Sequence, residues 1–598
     1  ASSTPATSGT AALPATITVS GAGSRLAATA GNLVVGSGTG SGTLTLSGGA
    51  ALDISGSLIL ADATTATGIL NIGAAEGQAP AAGGTLTATA ISLGSTTSRI
   101  NFNHTDPAFT IASAITGSGA LHHYAGTTIL SGVNSYTGNT FLNGGILSVA
   151  SNNSLGAAGS TLNFDGGTLR WTGGTFTNTR TINWGTNGGG FDIASAATFY
   201  TVSQALAAGG PLTKYGDGTL ILTADHSYSG GTTVAAGTLQ LGANGNTGSV
   251  AGDIVNNGVV RFQRVDNYTY AGSISGSGAI QQQGGILNLT GNSNWGSGTT
   301  VSAAELRVTA GNTVAMGGGL GVSQGRLLVS GAGSTVQAAS VTAQSGAPSA
   351  SINVENGGVL RTTTGGLILR KQSPVGAGVV SLNISGAGSL ADLAGAVEAG
   401  NLTAATTVAL NISGGGTLRS AGASLIGFTT GNTTAPTFTI TGAGSNWTST
   451  GTLAMTNGSF SLLDSGVASF TGATFGSVSA ARAGTLLGSG AGSRLTTTVG
   501  DLVIGSGAGT GVLTLTNGGT ADIAGALVLG DSATATGIFN IGGGEGAAAR
   551  PGDGRADAAH RARHDGGLAR EAAGVPGMGG GGTHGRTCRT ILPICWLL

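Results

Sequence analysis

The chain alternates apolar and polar residues in very short bursts. Leu44-Thr45-Leu46, Leu58-Ile59-Leu60 and Leu70-Asn71-Ile72 place apolar side chains two apart, the spacing that lands both on one face of a strand. Leu220-Ile221-Leu222 and Leu239-Gln240-Leu241 repeat the device. Turns such as Gly48-Gly49, Gly216-Asp217-Gly218 and Gly230-Gly231 separate the bursts, glycine reaching positive backbone angles at no steric cost. No apolar stripe of helical period is long enough for a helix, so the pattern predicts strands and turns alone.

The bursts recur in order. Leu220, Leu222, Tyr228, Gly230, Thr232, Leu239 and Leu241 are met further on, without a gap, by Leu287, Leu289, Trp295, Ser297, Thr299, Leu306 and Val308. An earlier copy meets them with Thr128, Leu130, Tyr136, Gly138, Thr140, Leu147 and Val149. A second repeat, GAGS, starts at Gly21, Gly331, Gly386, Gly442 and Gly490, the last four at nearly even intervals. A unit with one apolar face and no core of its own must stack on copies of itself. The expected fold is therefore all-β: a right-handed parallel β-helix forming a single elongated rod. One coil is expected about every 20–25 residues, so the interval from Gly331 to Gly386 is read as about two and a half coils. Roughly 25 coils would make a rod of about 100–120 Å.

The wording of three segments, "TTILSGVNSYTGNTFLNGGILSV", "GTLILT…YSGGTTVAAGTLQLG" and "GILNLTGNSNWGSGTTVSAAELRV", resembles the passenger-associated repeat of autotransporters, the type V secreted proteins of Gram-negative bacteria. The resemblance implies a passenger domain that crosses the periplasm and ends at the cell surface or outside the cell. The repeats and the local composition set this layout: a lead-in segment over 1–18, a β-helical passenger over 19–549, and a different tail over 550–598. Within the passenger, GAGS-type repeats occupy 19–94 and 313–549, and passenger-associated repeats 95–312.

Composition fits that reading. The 115 glycines have no three-residue period, which excludes collagen, and the 40% of regularly spaced apolar residues argues against disorder. A net charge of −1, with Lys214 and Lys371 as the lysines, leaves no basic stripe for nucleic acid. No cysteine occurs before residue 550.

Candidate chemistry is thin. Asp53, Asp62 and Glu76 recur as Asp522, Asp531 and Glu545 in blocks 21–80 and 490–549, which match at 36 of 60 positions. An active site is normally single, so repeated acids read as turn and surface residues. His122-His123 lacks a further ligand at metal spacing, and Lys214, in the matching place of the central repeat, implies an outward position there. The glycine run Gly36–Gly42 opens no helix and is no phosphate cradle. Gly530-Asp531-Ser532 is similar to the nucleophile segment of some autotransporter proteases, but its twin reads Ala61-Asp62-Ala63. Arg170-Trp171, Trp184, Tyr268, Tyr270 and Trp447 are candidates for exposed binding patches. Asn143-Gly144, Asn256-Asn257 and Asn457-Gly458 are turn formers and candidate amide ladders. No catalytic, cofactor-binding or metal residue is assigned, no cofactor is expected, and no ligand-binding residue is named.

The expected function is a non-enzymatic surface or secreted passenger, a rigid adhesive or matrix-forming rod. Its expected partners are surface glycans or proteins of a host or of bacteria, with self-association possible and no nucleic acid. A β-helical carbohydrate-active enzyme and a self-stacking fibrillar matrix protein are the alternatives. From residue 550 the repeat gives way to an Arg/Ala/Gly/His-rich stretch with both cysteines, Cys588 and Cys595. That change is expected of a frameshifted or truncated product, with a disordered tail and without the translocator barrel of the family.

Overall fold

A computed structural model of the chain describes residues 14–345, 349–371, 378–401, 407–427, 435–476, 483–542 and 592–593. Glu545 and nearly all of the stretch from 550 lie outside the described residues. Leu592–Pro593 pairs antiparallel with Ala526–Leu529.

The described chain is a parallel β-solenoid. Its strands are short because each apolar burst is short. In Ser41–Ser47, buried and partly exposed residues alternate, and Leu44 and Leu46 are fully buried. The next coil places Leu70 on Leu44 and Ile72 on Leu46. Like residues therefore stack in columns, apolar inside and threonine, serine or asparagine outside. The one helical element among the described residues is a 3-10 turn, Asn152–Leu155.

The chain divides into two compact units, Ala1–Asp266 with Ala271–Ile280, and Asn267–Tyr270 with Gln281–Leu598. In the first, an eight-stranded parallel sheet runs from Ala15–Ser20 to Ile182–Trp184. Its early coils carry three strands, such as Ala15–Ser20, Arg25–Ala28 and Leu33–Val35. Later coils carry two, such as Thr219–Leu222 and Thr232–Val234. The second unit holds a twelve-stranded sheet from Asn267–Tyr270 to Thr536–Ile541.

Coil length differs from the even period expected of the sequence. In the passenger-type repeats the coils are short, and Leu220 pairs with Leu239. In the GAGS region they are longer: Val329 pairs with Val354, and Val354 with Ile384. The stretch from Gly331 to Gly386 is thus two coils, not two and a half. The reason lies in the turns, which alternate. One coil turns through GAGS and the next through a pair of residues both at positive φ, such as Asn356 (54°) and Gly357 (83°).

The GAGS serine rivets the two kinds of turn. Ser389 is buried; its hydroxyl donates to the Ser385 carbonyl (2.6 Å) and accepts from Gly357 N–H on the preceding coil (3.0 Å). Ser334 does the same with Ser330 and Gly311. Ser445 accepts from Gly415 N–H (3.0 Å) and Ser493 from Ser465 N–H (3.2 Å). Amide ladders form, but at other positions than those expected. Asn101 donates to Asn71 (2.8 Å), Asn183 to Asn163 (2.8 Å) and Asn411 to Asn383 (2.9 Å). Asn256 instead turns inward, fully buried, and donates to the Ala279 carbonyl.

Leu220, Leu222, Leu239 and Leu241 all point into the solenoid, each fully buried. Leu222→Ala should cost about 2–5 kcal/mol, and Leu222→Asp should open its coil to protease, because an unpaired buried charge costs more than a lost contact. Unchanged proteolysis of Leu222→Asp would disprove the register. Ser389→Ala leaves the Gly357 amide without its acceptor and should cost about 1–3 kcal/mol in a denaturant melt.

Candidate functional site

The passenger-type repeats carry an interior pattern that the apolar spacing hides. The strand before each glycine turn carries a buried polar residue near its end: His123, Lys214 and Gln282. Each donates to carbonyls at a coil corner. His123 Nδ1 meets Gly144 O at 2.8 Å, and Gln282 Nε2 meets Gly284 O at 2.8 Å. Lys214 Nζ reaches Tyr215 O (2.7 Å), Gly216 O (2.7 Å) and Ala236 O (3.2 Å). Lys214 was expected to face solvent; it is fully buried, between Phe191 and Val234 in register. Tight corners aim backbone carbonyls at one point, and a donor there is worth more than another apolar contact. Burial pulls the Lys214 pKa down to about 8, while Asp192 and Asp217 oppose the shift.

A second polar link closes the corner in the first two repeats. Tyr136 bonds Thr140 at 2.7 Å, and Tyr228 bonds Thr232 at 2.6 Å, with all four side chains buried. In the third repeat Trp295 replaces tyrosine, and Trp295 Nε1 and Thr299 Oγ1 are buried without a hydrogen-bond partner.

His123 also belongs to a directed chain of hydrogen bonds. His104 Nδ1 accepts from Asp106 N–H (3.2 Å), which places its proton on Nε2; this donates to Thr128 Oγ1 (2.8 Å). His123 Nδ1 donates to Gly144 O, so its Nε2 accepts the Thr128 hydroxyl proton (3.1 Å). Both imidazoles are neutral in this arrangement, and both are buried. Burial holds the His123 pKa down at about 4 and lowers that of His104. His122 points the other way and stacks on Phe141 of the next coil, ring centroids 4.3 Å apart. Adjacent histidines thus serve opposite faces, and among the described residues no group of three or more His, Cys, Asp or Glu is placed to hold a metal ion.

The repeated acids bind the solenoid to itself. Asp62 accepts from Ser37 Oγ (2.6 Å) and Gly38 N–H (2.9 Å), stapling the glycine turn of the preceding coil. Ser37 above all holds its carboxyl below the usual range. Asp531 treats Ser506 and Gly507 in the same way, and Ser532 donates to Gly507 O. Asp53 pairs with Arg25 (2.5 Å), Asp522 with Arg494, and Glu76 with Arg99 (3.1 Å).

The family model for the passenger-associated-transport-repeat matches residues 124–149, 212–241 and 280–308. The adhesin BmaC autotransporter of Brucella suis biovar 1 (strain 1330) is 33% identical over 403 residues, 58% of this chain and 11% of that protein. This chain carries the passenger-associated transport repeats of autotransporters. It is a cell-surface or secreted protein of the Gram-negative type. The passenger is also 38% identical over 136 residues to the uncharacterized lipoprotein YdeK of Escherichia coli (strain K12), 21% of the passenger and 10% of that protein. It spans about a tenth of the length of these curated relatives. No solved structure matches it.

The aromatic residues expected on the passenger's surface are mostly inside. Trp171, Trp184, Tyr270 and Trp447 are buried. Trp171 stacks on Phe176 (4.7 Å), and Trp447 meets Phe470 edge-on (5.0 Å). Indole N–H groups find corner acceptors, Gly174 O for Trp171 and Gly210 O for Trp184. Arg170 does stay at the surface, paired with Asp192 at 2.6 Å, and Tyr268 is half-buried. The interior donors were missed because a polar residue at an inward position looks like a slip in the alternation. The glycine turn just after each is the signal that identifies them.

The histidine chain makes the passenger acid-sensitive. His123 is held near pH 4 when folded against 6.5 for the free group, so the unfolded chain binds a proton that the folded one refuses between those values. Its contribution is complete above about pH 6.5 and lost by pH 4, roughly 3 kcal/mol in all. His123→Gln, which retains a donor for Gly144 O, should flatten the fall of melting temperature over that window. An unaltered pH slope would show that His123 is protonated freely in the fold.

Proposed function

We propose that this passenger is an adhesive element, presented outside the cell, that holds its target through its outer faces and performs no chemistry. The reading is carried by the 403-residue likeness to an adhesin autotransporter. The carboxylates support it. Asp53, Asp62, Asp522 and Asp531 are each engaged with an arginine or a turn. The targets are surface glycans or proteins, met by many repeated polar positions whose weak contacts add through multivalency.

The test is to display residues 14–542 on a non-adherent Gram-negative strain through a heterologous translocator barrel, beside an empty-barrel control. Adherence to epithelial monolayers and to immobilised matrix proteins should rise at least tenfold. Equal adherence in both strains, or turnover of polysaccharide by the purified passenger, would overturn the reading.

A further inference from the structure

The parallel ladder breaks between two early coils of the first unit. The coil carrying Thr67–Gly73, Thr85–Thr87 and Ala90–Leu93 is followed by the coil carrying Arg99–Asn103, Phe109–Ile111 and Ala114–Gly117. The first strands of these coils pair with each other, and so do the third. The second strands do not. Thr85–Thr87 is the terminal strand of its three-stranded sheet, and Phe109–Ile111 is the terminal strand of another.

A difference in chain length explains the break. Ala81 bridges His104 and Ala90 pairs with Ala114, so the stretch 82–89 faces 105–113, which is longer by one. An odd residue throws the pleat out of register, and Pro107 has no N–H to donate. Side chains close the two ends. Gly83 N–H donates to Asp106 Oδ2 (3.0 Å), and Ser113 Oγ donates to Ala88 O (2.6 Å). Here lies an open hollow of about 560 Å³, whose lining includes Gly49, Gly83, Gly84, Leu86, Asp106 and Thr110.

Backbone groups face this hollow. Thr85 N–H is spent on Ala50 O of the preceding coil, and the alternation of a parallel strand turns the Leu86 N–H and C=O the other way. Across the hollow, Ile111 O is spent on Ser131 N–H, which leaves the Thr110 peptide groups directed back. The glycines put no side chain over either edge.

We propose that this break is a docking site for an extended peptide of a protein partner, which joins the ladder as an added strand at the edges of Leu86 and Thr110. Each of these short edges offers roughly 10 Å of ladder. Asp106 is the charged residue of the lining, and its side chain is a third exposed, so it favours a peptide with a lysine or arginine beside small or β-branched residues. A saccharide has less to hold here, because Phe109, the aromatic residue of the lining, is 8% exposed and offers no open ring face. The site goes beyond the adhesive reading and stands without it.

The test uses the full chain and a panel of fluorescein-labelled, amidated hexapeptides that alternate threonine and valine behind a lysine, a glutamate or a glycine. Fluorescence anisotropy should show saturable binding, tightest for the lysine-headed peptide. Thr110→Lys places a long cationic side chain on an exposed edge and should weaken binding at least tenfold without moving the melting curve. Thr439→Lys, on an unbroken sheet, should bind like the parent chain. Hydrogen exchange at Leu86 and Thr110 should be fast in the free chain and at least tenfold slower with peptide. The proposal fails if no peptide of the panel binds, if Thr110→Lys binds unchanged, or if those two amides are already as protected as Thr85. A dimer that is abolished by Thr110→Lys and excludes the peptide would assign the edge to a second copy and equally overturn it. Adherence of displaying bacteria is a separate measurement, so either idea can fall alone.

Discussion

Register is the constraint on which this solenoid depends. Its strands are short, many of only three or four residues, and a slip of one position would carry every interior side chain to the outside. Strands this short cannot hold register by their own pairing, so the corners do it. Serine hydroxyls rivet GAGS turns to the turn of the coil before, aspartates staple glycine turns, and buried donors gather the carbonyls of the passenger-type corners. Each device satisfies a backbone group that a tight turn would otherwise leave unpaired. The apolar columns supply the driving force, and the corner bonds decide which column meets which.

The strands themselves were legible because alternation needs only the identity of neighbours. Leu220, Leu222, Leu239 and Leu241 sit where a two-residue period puts them, and the repeated acids proved to be turn residues. What alternation cannot decide is whether a polar residue faces water or a carbonyl. Lys214 was read as solvated for that reason, although the Gly216 turn beside it supplies three carbonyl acceptors with its neighbours. The tryptophans misled in the opposite sense. Arg170 next to Trp171 suggests a surface patch, yet successive residues of a strand face opposite sides, so a surface arginine puts the tryptophan inside.

Coil length was illegible for a related reason. Spacing between GAGS motifs reports how often the same turn returns, not how often the chain does. Only the paired residues show that a turn of another kind intervenes, with Asn356-Gly357 or Gly414-Gly415 at positive φ. Asp464 and Ser465 fill the same place without glycine, at φ of 49° and 74°, and Ser465 N–H still meets its serine. The geometry of the turn is therefore kept where its usual residue is not.

That alternation governs how such a chain can lengthen or shorten. Deleting one coil from the GAGS region would set like against like: two GAGS turns would adjoin, or two positive-φ turns. In the first case a buried serine hydroxyl faces no amide; in the second an amide faces no hydroxyl. Deleting or duplicating two coils keeps the two kinds of turn alternating. The pair of coils is therefore the step by which this double thread can change length and keep its rivets.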